Sequence, residues 1–454
     1  MGDFPLIDIP KLGGGMVIAL VAMVHVVLAH FAVGTGILLH GLESADKDAS
    51  NAGIQRAIKL LSLSVVYISF ITGAITGVGI WFCISLFSAD ATQHLIQKFV
   101  WLWAVEWTFF VVEIVVGYLY YYRRKVLDWH DRRRLALLYA LASWGSLLVI
   151  TGILSYMLTS KEGSALAAWF NASVLPSVLL RTISSVAITC LVLALLVTIR
   201  PLFPYDRKGK EKRAVFKVLY RYLRWFFLLL PVAIWYRLTL PGTSASFAEG
   251  SSIPISMFLA GTAFFSGVVT LVALFAYRKE RILQTEAAVL LLVMGVVATF
   301  TAEFVREGIR KPYIIYPILY SNNIWANDVE EWQHQADTKG SVLAVTVLYP
   351  GTPQEKQAGY WQIPREDSAM QDLSELERGE YIYRSQCMIC HTRYGFNALS
   401  HLVRAWDDED YADGVLENLH IAKPFMPPFV GTHDDRLALI RYLQTLDEEA
   451  GGSP

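Results

Sequence analysis

Residues Met16–Leu39 read MVIALVAMVHVVLAHFAVGTGILL, and this stretch is diagnostic of the fold class. It contains no Asp, Glu, Lys or Arg. A bilayer core of roughly 30 Å is crossed by roughly 20 consecutive apolar residues in a helix, so the stretch predicts a membrane span. The whole chain of 454 residues is 54% hydrophobic and 17% charged, which excludes an ordinary soluble enzyme. Its net charge of −1 gives no indication of a nucleic-acid partner.

Seven further apolar stretches have the length of a membrane span. Together they predict an all-α, polytopic bundle of about eight spans: Met16–Leu39, Leu61–Leu86, Phe99–Tyr121, Leu135–Leu158, Val174–Ile199, Arg224–Leu240, Ile253–Tyr277 and Ala287–Phe304. The sixth is the weakest, because Pro231 interrupts it and Arg237 closes it. The first follows a weakly charged segment without a basic region or a small-residue cleavage site, so we interpret it as a retained span.

The basic residues between spans predict the orientation of the bundle. They concentrate in alternate loops, those after spans three, five and seven: Arg123, Arg124, Lys125, Arg132, Arg133, Arg134, Arg207, Lys208, Lys210, Lys212, Arg213, Lys217, Arg278, Lys279 and Arg281. The other loops hold little beyond Lys98, Lys161 and Arg237. Because basic loops face the cytoplasm, both termini are expected outside a cytoplasmic (inner) membrane.

The sequence Ser385-Gln386-Cys387-Met388-Ile389-Cys390-His391 contains the C-x-x-C-H signature of covalent haem attachment. It predicts one haem c, bound through thioethers to Cys387 and Cys390, with His391 on the iron. A zinc site would need a second ligand pair, which the sequence lacks. Haem c is attached outside the cytoplasmic membrane, in agreement with the orientation that the basic loops predict.

Residues 371–454 resemble a small class I, monohaem cytochrome c domain. Helices are expected at Glu375–Ser385, Asp408–Leu419 and Asp434–Leu446, and the proline-rich loop between the last two contains Met426. The resemblance implies that Met426 is the distal iron ligand; His401 or His420 is the alternative, with Met426 then a packing residue. Residues 311–370 are expected to form a linker or cap on the outer face.

Ionisable residues inside membrane spans are costly and are candidate functional groups. The sequence contains His25, His30, His40, Glu106, Glu113, Arg181, Glu303, Arg306, Glu307 and Arg310 in or at the ends of the predicted spans. Glu106 and Glu113 are two helical turns apart and therefore share a face. Two simpler interpretations stay open: His25 makes an interhelical hydrogen bond, and Glu307 pairs with Arg310.

Several stretches resemble subunit I of cytochrome bd-type oxidases, over roughly residues 13–320. Ala19–His25 is similar to the family's first helix, and Thr72–Gly77 to its glycine-rich second helix. Ala104–Trp107 with Glu113 resembles its two-glutamate helix, although the family spaces the pair one residue wider. Glu307-Gly308-Ile309-Arg310-Lys311-Pro312-Tyr313 resembles its E-x-x-R-x-P-aromatic element.

The resemblance implies roles for these residues. His25 and Glu307 would ligate membrane haem iron, and Arg310 would act in catalysis beside the haem propionates. Glu106 and Glu113 would deliver protons. It implies two b-type membrane haems, with d-type left open, and a second, related membrane subunit.

The chain departs from the family in two places. The resemblance implies that Arg181 replaces the histidine of the family's low-spin b haem, and that Met257 stands where the second ligand of that haem is expected. The long loop that oxidises quinol is reduced to Leu240–Ser252, with Glu249 as its acidic residue. We therefore expect haem c to replace quinol and the low-spin haem as the entrance for electrons.

Three functions remain open at this point. The first is an oxidase subunit that takes electrons from an external, cytochrome c-type donor for oxygen reduction. The second is a non-catalytic haem relay or anchor that links a periplasmic redox enzyme to other respiratory partners. The third is reduction of nitric oxide at the same membrane site. In each, membrane lipid surrounds the bundle.

Overall fold

The computed structural model describes residue 9 and residues 11–199, 202, 209–279, 283–345, 373–403, 406 and 408–451. Among these described residues, eight helices are long and apolar enough to cross a membrane: Gly13–Ala45, Ala52–Phe87, Ala89–Arg123, Trp129–Tyr156, Val174–Thr198, Lys210–Leu238, Ile253–Ala276 and Thr285–Gly308. We refer to them as spans one to eight. The prediction of an all-α, multi-pass membrane protein is confirmed. Arg207, Lys208 and Arg281, expected in basic loops, lie outside the described residues.

Three spans contain local departures from α-helical geometry. Residues Val65–Thr72 of span two form a π-helix, and Phe99 in span three has non-helical dihedral angles (φ −120°, ψ 24°). Residues Arg224–Leu228 of span six form a 3₁₀ turn just before Pro231. Proline donates no backbone hydrogen bond, which accounts for the weakened helix at this point.

Span six begins at Lys210, fourteen residues before the start that hydropathy predicts. The prediction was wrong here because Lys210–Leu223 is amphipathic: its lysines and arginines lower the hydropathy, while Val215, Phe216 and Leu219 are buried. The basic residues from Lys210 to Lys217 therefore belong to this helix and not to a loop. Short helices at Ala165–Trp169 and Gly242–Ser246 connect other spans.

The chain folds as two compact units, of which the larger comprises residues 22–78 and 95–309. Its core contains Leu42, Ile58, Leu193 and Leu219, all essentially inaccessible to solvent. Small residues bring its helices together: a Cβ on Gly34 would stand 2.1 Å from the Ser185 carbonyl oxygen, on span five. Close backbone approach through small residues is the usual packing of membrane helices.

The smaller unit comprises residues 1–21, 79–94 and 310–454. It contains strands β1 (Tyr313–Ile315) and β2 (Leu319–Tyr320), which pair antiparallel. Its helices are α1 (Val329–Lys339), α2 (Glu375–Gln386), α3 (Leu399–Leu402), α4 (Glu409–Glu417), α5 (Leu419–Ala422) and α6 (His433–Gly451). The helices expected near 375–385, 408–419 and 434–446 correspond to α2, α4 and α6.

The core of the smaller unit joins two parts of the sequence. Ile324, Ala336 and Leu343 from the expected cap pack in one hydrophobic cluster with residues of α2 and α6, including Ile382 and Leu439. Helices α2 and α6 approach closely, because Gly379 has no side chain to meet the Ala438 carbonyl. The expected linker lies partly outside the described residues, from 346 to 370, as do 371 and 372 at the start of the expected cytochrome c domain.

Candidate functional site

The C-x-x-C-H sequence forms a tight turn at the end of α2. Cys387 caps this helix, and the amide nitrogens of Cys390 and His391 donate to the Cys387 carbonyl at 3.1 and 3.0 Å. Both cysteines are free and half-buried, and burial raises the pKa of the Cys387 thiol to about 12. Two neighbouring, unbridged thiols in one turn are the arrangement that covalent attachment of a haem requires.

The histidine of this motif is held in one orientation and one tautomer. His391 Nδ1 lies 3.1 Å from the Asn397 carbonyl oxygen. A carbonyl oxygen only accepts hydrogen bonds, so Nδ1 carries the proton and Nε2 keeps its lone pair. Histidines that bind metals commonly donate their second ring nitrogen to a carbonyl in this way. The geometry therefore fits a haem iron ligand.

The loop that contains Met426 is fixed by a second histidine. The Met426 amide donates to the Lys423 carbonyl at 2.8 Å, and His420 Nδ1 lies 2.8 Å from the Met426 carbonyl oxygen. The Met426 side chain is half-buried, His420 is half-buried and His401 is exposed. His420 thus serves to position the Met426 backbone, while exposure makes His401 the weaker of the two alternative ligands.

The motif contacts two other segments of the smaller unit. The amide of Gly15, at the start of span one, donates to the Ile389 carbonyl at 3.3 Å. Lys311, which follows span eight, lies with Nζ 3.5 Å from Cys390 Sγ. The N-terminal end of span one and the segment after span eight are therefore in direct contact with the haem-attachment turn.

His25 is placed like His391, although in the other unit. Its Nδ1 lies 3.1 Å from the Thr76 hydroxyl, and that hydroxyl donates its own proton to the Thr72 or Gly73 carbonyl. Thr76 must therefore accept from His25, which leaves Nε2 unprotonated. Gly77 faces the ring, because a Cβ there would stand 3.2 Å from His25 Cε1. The interhelical hydrogen bond, the simpler interpretation of His25, is present, and it also orients the ring as an iron ligand requires.

Glu106 and Glu113 of span three both face span four. Ser146 donates to Glu106 at 2.8 Å, and Tyr139 donates to Glu113 at 3.3 Å. Ser146 and Tyr139 are seven residues apart on span four, as the two glutamates are on span three. This equal spacing is expected where two antiparallel helices pack side by side. Glu113 is buried, with 6% of its surface exposed. The two carboxylates thus line one seam of the bundle.

The same seam continues to a third residue that the sequence analysis did not single out. Tyr120, one further heptad along span three, donates to Glu43 Oε1 at 2.6 Å. The Glu43 side chain is completely buried and also accepts from Arg124 at 3.2 Å and Arg132 at 3.3 Å. The heptad spacing of Glu106, Glu113 and Tyr120 was visible in the sequence, but nothing in it identified Glu43 as the partner.

Arg181 forms part of a buried charged cluster centred on Glu303. Glu303 accepts from Arg181 at 3.0 Å and from Arg306 at 2.7 Å, and all three side chains are at most 21% exposed. His30 is buried nearby, within electrostatic range of Arg181 and Glu303. Arg181, which the sequence resemblance aligns with a haem histidine of the family, is thus engaged in an ion pair.

The remaining candidates are Glu307 and Arg310, at or after the end of span eight, and Met257, on span seven. Glu307 accepts from Arg306 at 2.6 Å, and 41% of its side chain is exposed. A carboxylate has lone pairs for several partners, so this ion pair is compatible with iron ligation. Arg310 is buried at 6% exposure and donates to the Ile314 carbonyl at 2.9 Å. Met257 is 69% exposed.

Over the described residues, no group of three or more His, Cys, Asp or Glu side chains is placed to hold a metal ion directly.

Comparison with known proteins supports the fold. No protein-family profile and no curated protein sequence matches the chain. Among solved structures, the bd oxidase from Geobacillus thermodenitrificans is similar, with a TM-score of 0.58 and 15% sequence identity. The match covers 67% of this chain and 88% of that chain. At this identity the likeness shows a bd oxidase-like fold for the membrane bundle, and the resemblance predicted from sequence is confirmed to that extent.

Proposed function

We propose that this protein is an electron-transfer subunit of a bd-like respiratory oxidase in the cytoplasmic membrane. It takes electrons from an external, cytochrome c-type donor at the haem c domain and passes them to b-type haems in the spans, where oxygen is reduced. A second, related membrane subunit completes the complex.

The contact between the haem-attachment turn and span one carries this proposal. Gly15 bonds to Ile389, and His25 follows ten residues later on the same helix. Lys311 contacts Cys390, and Glu307 lies four residues before Lys311 in the sequence. Both segments that hold the proposed membrane ligands thus begin or end at the proposed entrance for electrons.

Separate sets of residues would hold haem c and the membrane haems. Cys387, Cys390 and His391 would hold haem c, with Met426 as the distal ligand. A bound haem c supplies one-electron transfer, at a potential that a methionine ligand raises. His25 and Glu307 would hold the membrane haems, for which Arg310 would provide the cation beside the propionates.

Proton delivery falls to the seam between spans three and four. Glu113 is buried beside Tyr139, and Glu106 lies two helical turns further, beside Ser146. Carboxylates inside a bilayer are suited to take up and release protons. Protons would therefore move along this seam towards the site of oxygen reduction.

The cluster of Arg181 and Glu303 favours a second candidate, the non-catalytic relay. Arg181, which stands where the resemblance expects a haem histidine, is paired with Glu303, so at least one membrane haem is expected to be missing. A chain with fewer haems can transfer electrons between an external redox enzyme and other respiratory partners without reducing oxygen.

Two spectra of the purified complex test the proposal. A pyridine haemochrome spectrum counts haems, and we expect one haem c per chain together with b-type haem. Carbon monoxide added to the reduced complex should shift the spectrum, because an oxygen-reducing haem has an open coordination position. No shift would contradict the oxidase and favour the relay, and a spectrum without haem c would contradict both.

A further inference from the structure

The end of the bundle that carries the basic loops contains a cavity of about 280 Å³ between spans one and four. It is lined by His40, Trp129, His130, Arg133, Arg134 and Leu137. This volume is just below that of the smallest ligand pockets, roughly 300 Å³, so the cavity suits a head group more than a whole ligand. None of these residues belongs to the proposed haem sites or to the glutamate seam between spans three and four.

The rim of this cavity is basic and held in place. Arg133 donates to the Ser44 hydroxyl at 3.0 Å, and His40 Nδ1 approaches the Arg133 carbonyl at 3.4 Å. Trp129 donates from its indole nitrogen to the Glu43 carbonyl at 2.8 Å. Lys47 lies 5.4 Å and Arg133 5.6 Å from the centre of the Trp129 ring. Cations over an indole face are attracted to it, which further fixes the rim.

The nearby carboxylates neutralise little of this charge. Glu43 directs its carboxylate to Tyr120, Arg124 and Arg132. Asp131 lies 3.5 Å from Arg134, but 81% of the Arg134 side chain is exposed, so the pair is weak. The cavity thus presents a net positive rim to an incoming anion.

The floor of the cavity is apolar. Leu137 is one helical turn beyond Arg133 on span four, and Leu137, Leu138 and Leu141 are 42, 45 and 56% exposed. The helix runs from this basic end into the bilayer, so an apolar, lipid-facing surface continues directly from the basic rim. Tryptophan at the rim is typical of the membrane–water interface.

We propose that this cavity binds the phosphodiester head group of an anionic phospholipid, with an acyl chain along the leucines. Basic pockets between spans at a membrane surface recognise such head groups. A free phosphate would use the same cations, but it would gain nothing from Leu137. The lipid would tie span one to span four at the end of the bundle that carries the basic loops.

The test uses the purified full complex in phosphatidylcholine nanodiscs with spin-labelled phosphatidylglycerol or spin-labelled phosphatidylcholine. Electron paramagnetic resonance measures the immobilised fraction of each label. We expect preference for phosphatidylglycerol, and Arg133→Gln with Arg134→Gln should lower its association constant roughly 30-fold. The matched control, Arg123→Gln with Lys125→Gln, removes the same charge from exposed residues outside the cavity and should retain the preference.

Arg134→Gln alone covers the case in which the double variant fails to fold, because its side chain is largely exposed. It should lower the association constant roughly fivefold. Equal loss in the control would overturn the proposal in favour of diffuse surface charge. Complete displacement of the lipid by millimolar inorganic phosphate would show that the cavity binds a free anion. Equal immobilisation of the two labelled lipids would show that the cavity is not an anionic-lipid site.

Discussion

Replacement of Glu303 by glutamine tests the charged cluster inside the bundle. Glu303 is the anion between Arg181, at 3.0 Å, and Arg306, at 2.7 Å. At an effective dielectric constant of roughly 20, each contact corresponds to about 6 kcal/mol of Coulomb attraction. Much of that attraction offsets desolvation, and loss of one partner of a buried pair typically costs about 3–5 kcal/mol.

Glu303→Gln should therefore lower the free energy of unfolding by about 3–5 kcal/mol, because it leaves Arg181 buried without a counter-charge. We expect the melting temperature, followed by intrinsic fluorescence in nanodiscs, to fall by roughly 5–10 °C. Glu286→Gln is the matched control, since Glu286 is exposed in the first turn of the same helix.

A second substitution separates the ion pair from other effects of the change. If the pair is the cause, Arg181→Gln combined with Glu303→Gln should cost at least about 1 kcal/mol less than the sum of the single variants. Additive losses would show that the two side chains act independently. Equal melting temperatures for the Glu303→Gln protein and the Glu286→Gln control would refute the argument from buried charge.

Three further predictions concern the proton seam and the smaller unit. Glu113→Gln keeps size and polarity but cannot carry a proton, so oxygen consumption should fall at least roughly 100-fold at unchanged haem content; turnover at the parental rate would place the proton path elsewhere. Asp435 accepts from Ser341, Val342, Arg378 and Thr432. Asp435→Asn should lower the unfolding free energy by about 3 kcal/mol in thermal melts, whereas exposed Asp434→Asn should not. A hydrogen bond from Arg436 lowers the pKa of Asp413 in the folded protein. The ionised carboxylate therefore stabilises the fold at pH values above its unfolded pKa of about 4. This contribution is lost as the pH falls through the folded pKa of Asp413. The stability difference between the parent and Arg436→Gln should therefore shrink in melts from pH 7 down to about pH 3, and a constant difference would contradict this assignment.

The spans were predictable because bilayer thickness sets a length that hydropathy detects directly. Hydropathy missed the start of span six, since Lys210–Leu223 buries one face and exposes a basic one. Hydropathy also gave no sign of the π-helix at Val65–Thr72, which is mostly apolar like the rest of span two. Such departures depend on how neighbouring helices pack, and a single sequence does not record that.

The site was predictable where spacing along one helix was enough. The two-turn separation of Glu106 and Glu113 correctly gave a shared face, which the structure places against span four. Partners from other helices were not predictable: Glu43 beside Tyr120, and Glu303 beside Arg181, are distant in sequence. The haem role of His25 and the electron entrance at Cys387 stay predictions.

The electron entrance is tested most directly by Cys387→Ala with Cys390→Ala, compared with a matched Cys83→Ala, Cys190→Ala variant that removes the two buried thiols elsewhere. We predict that the haem c absorption bands disappear while those of the membrane haems remain. Stopped-flow reduction by reduced cytochrome c should fall to background, although dithionite still reduces the membrane haems. Reduction by cytochrome c at the rate of the control variant would contradict an entrance at this haem.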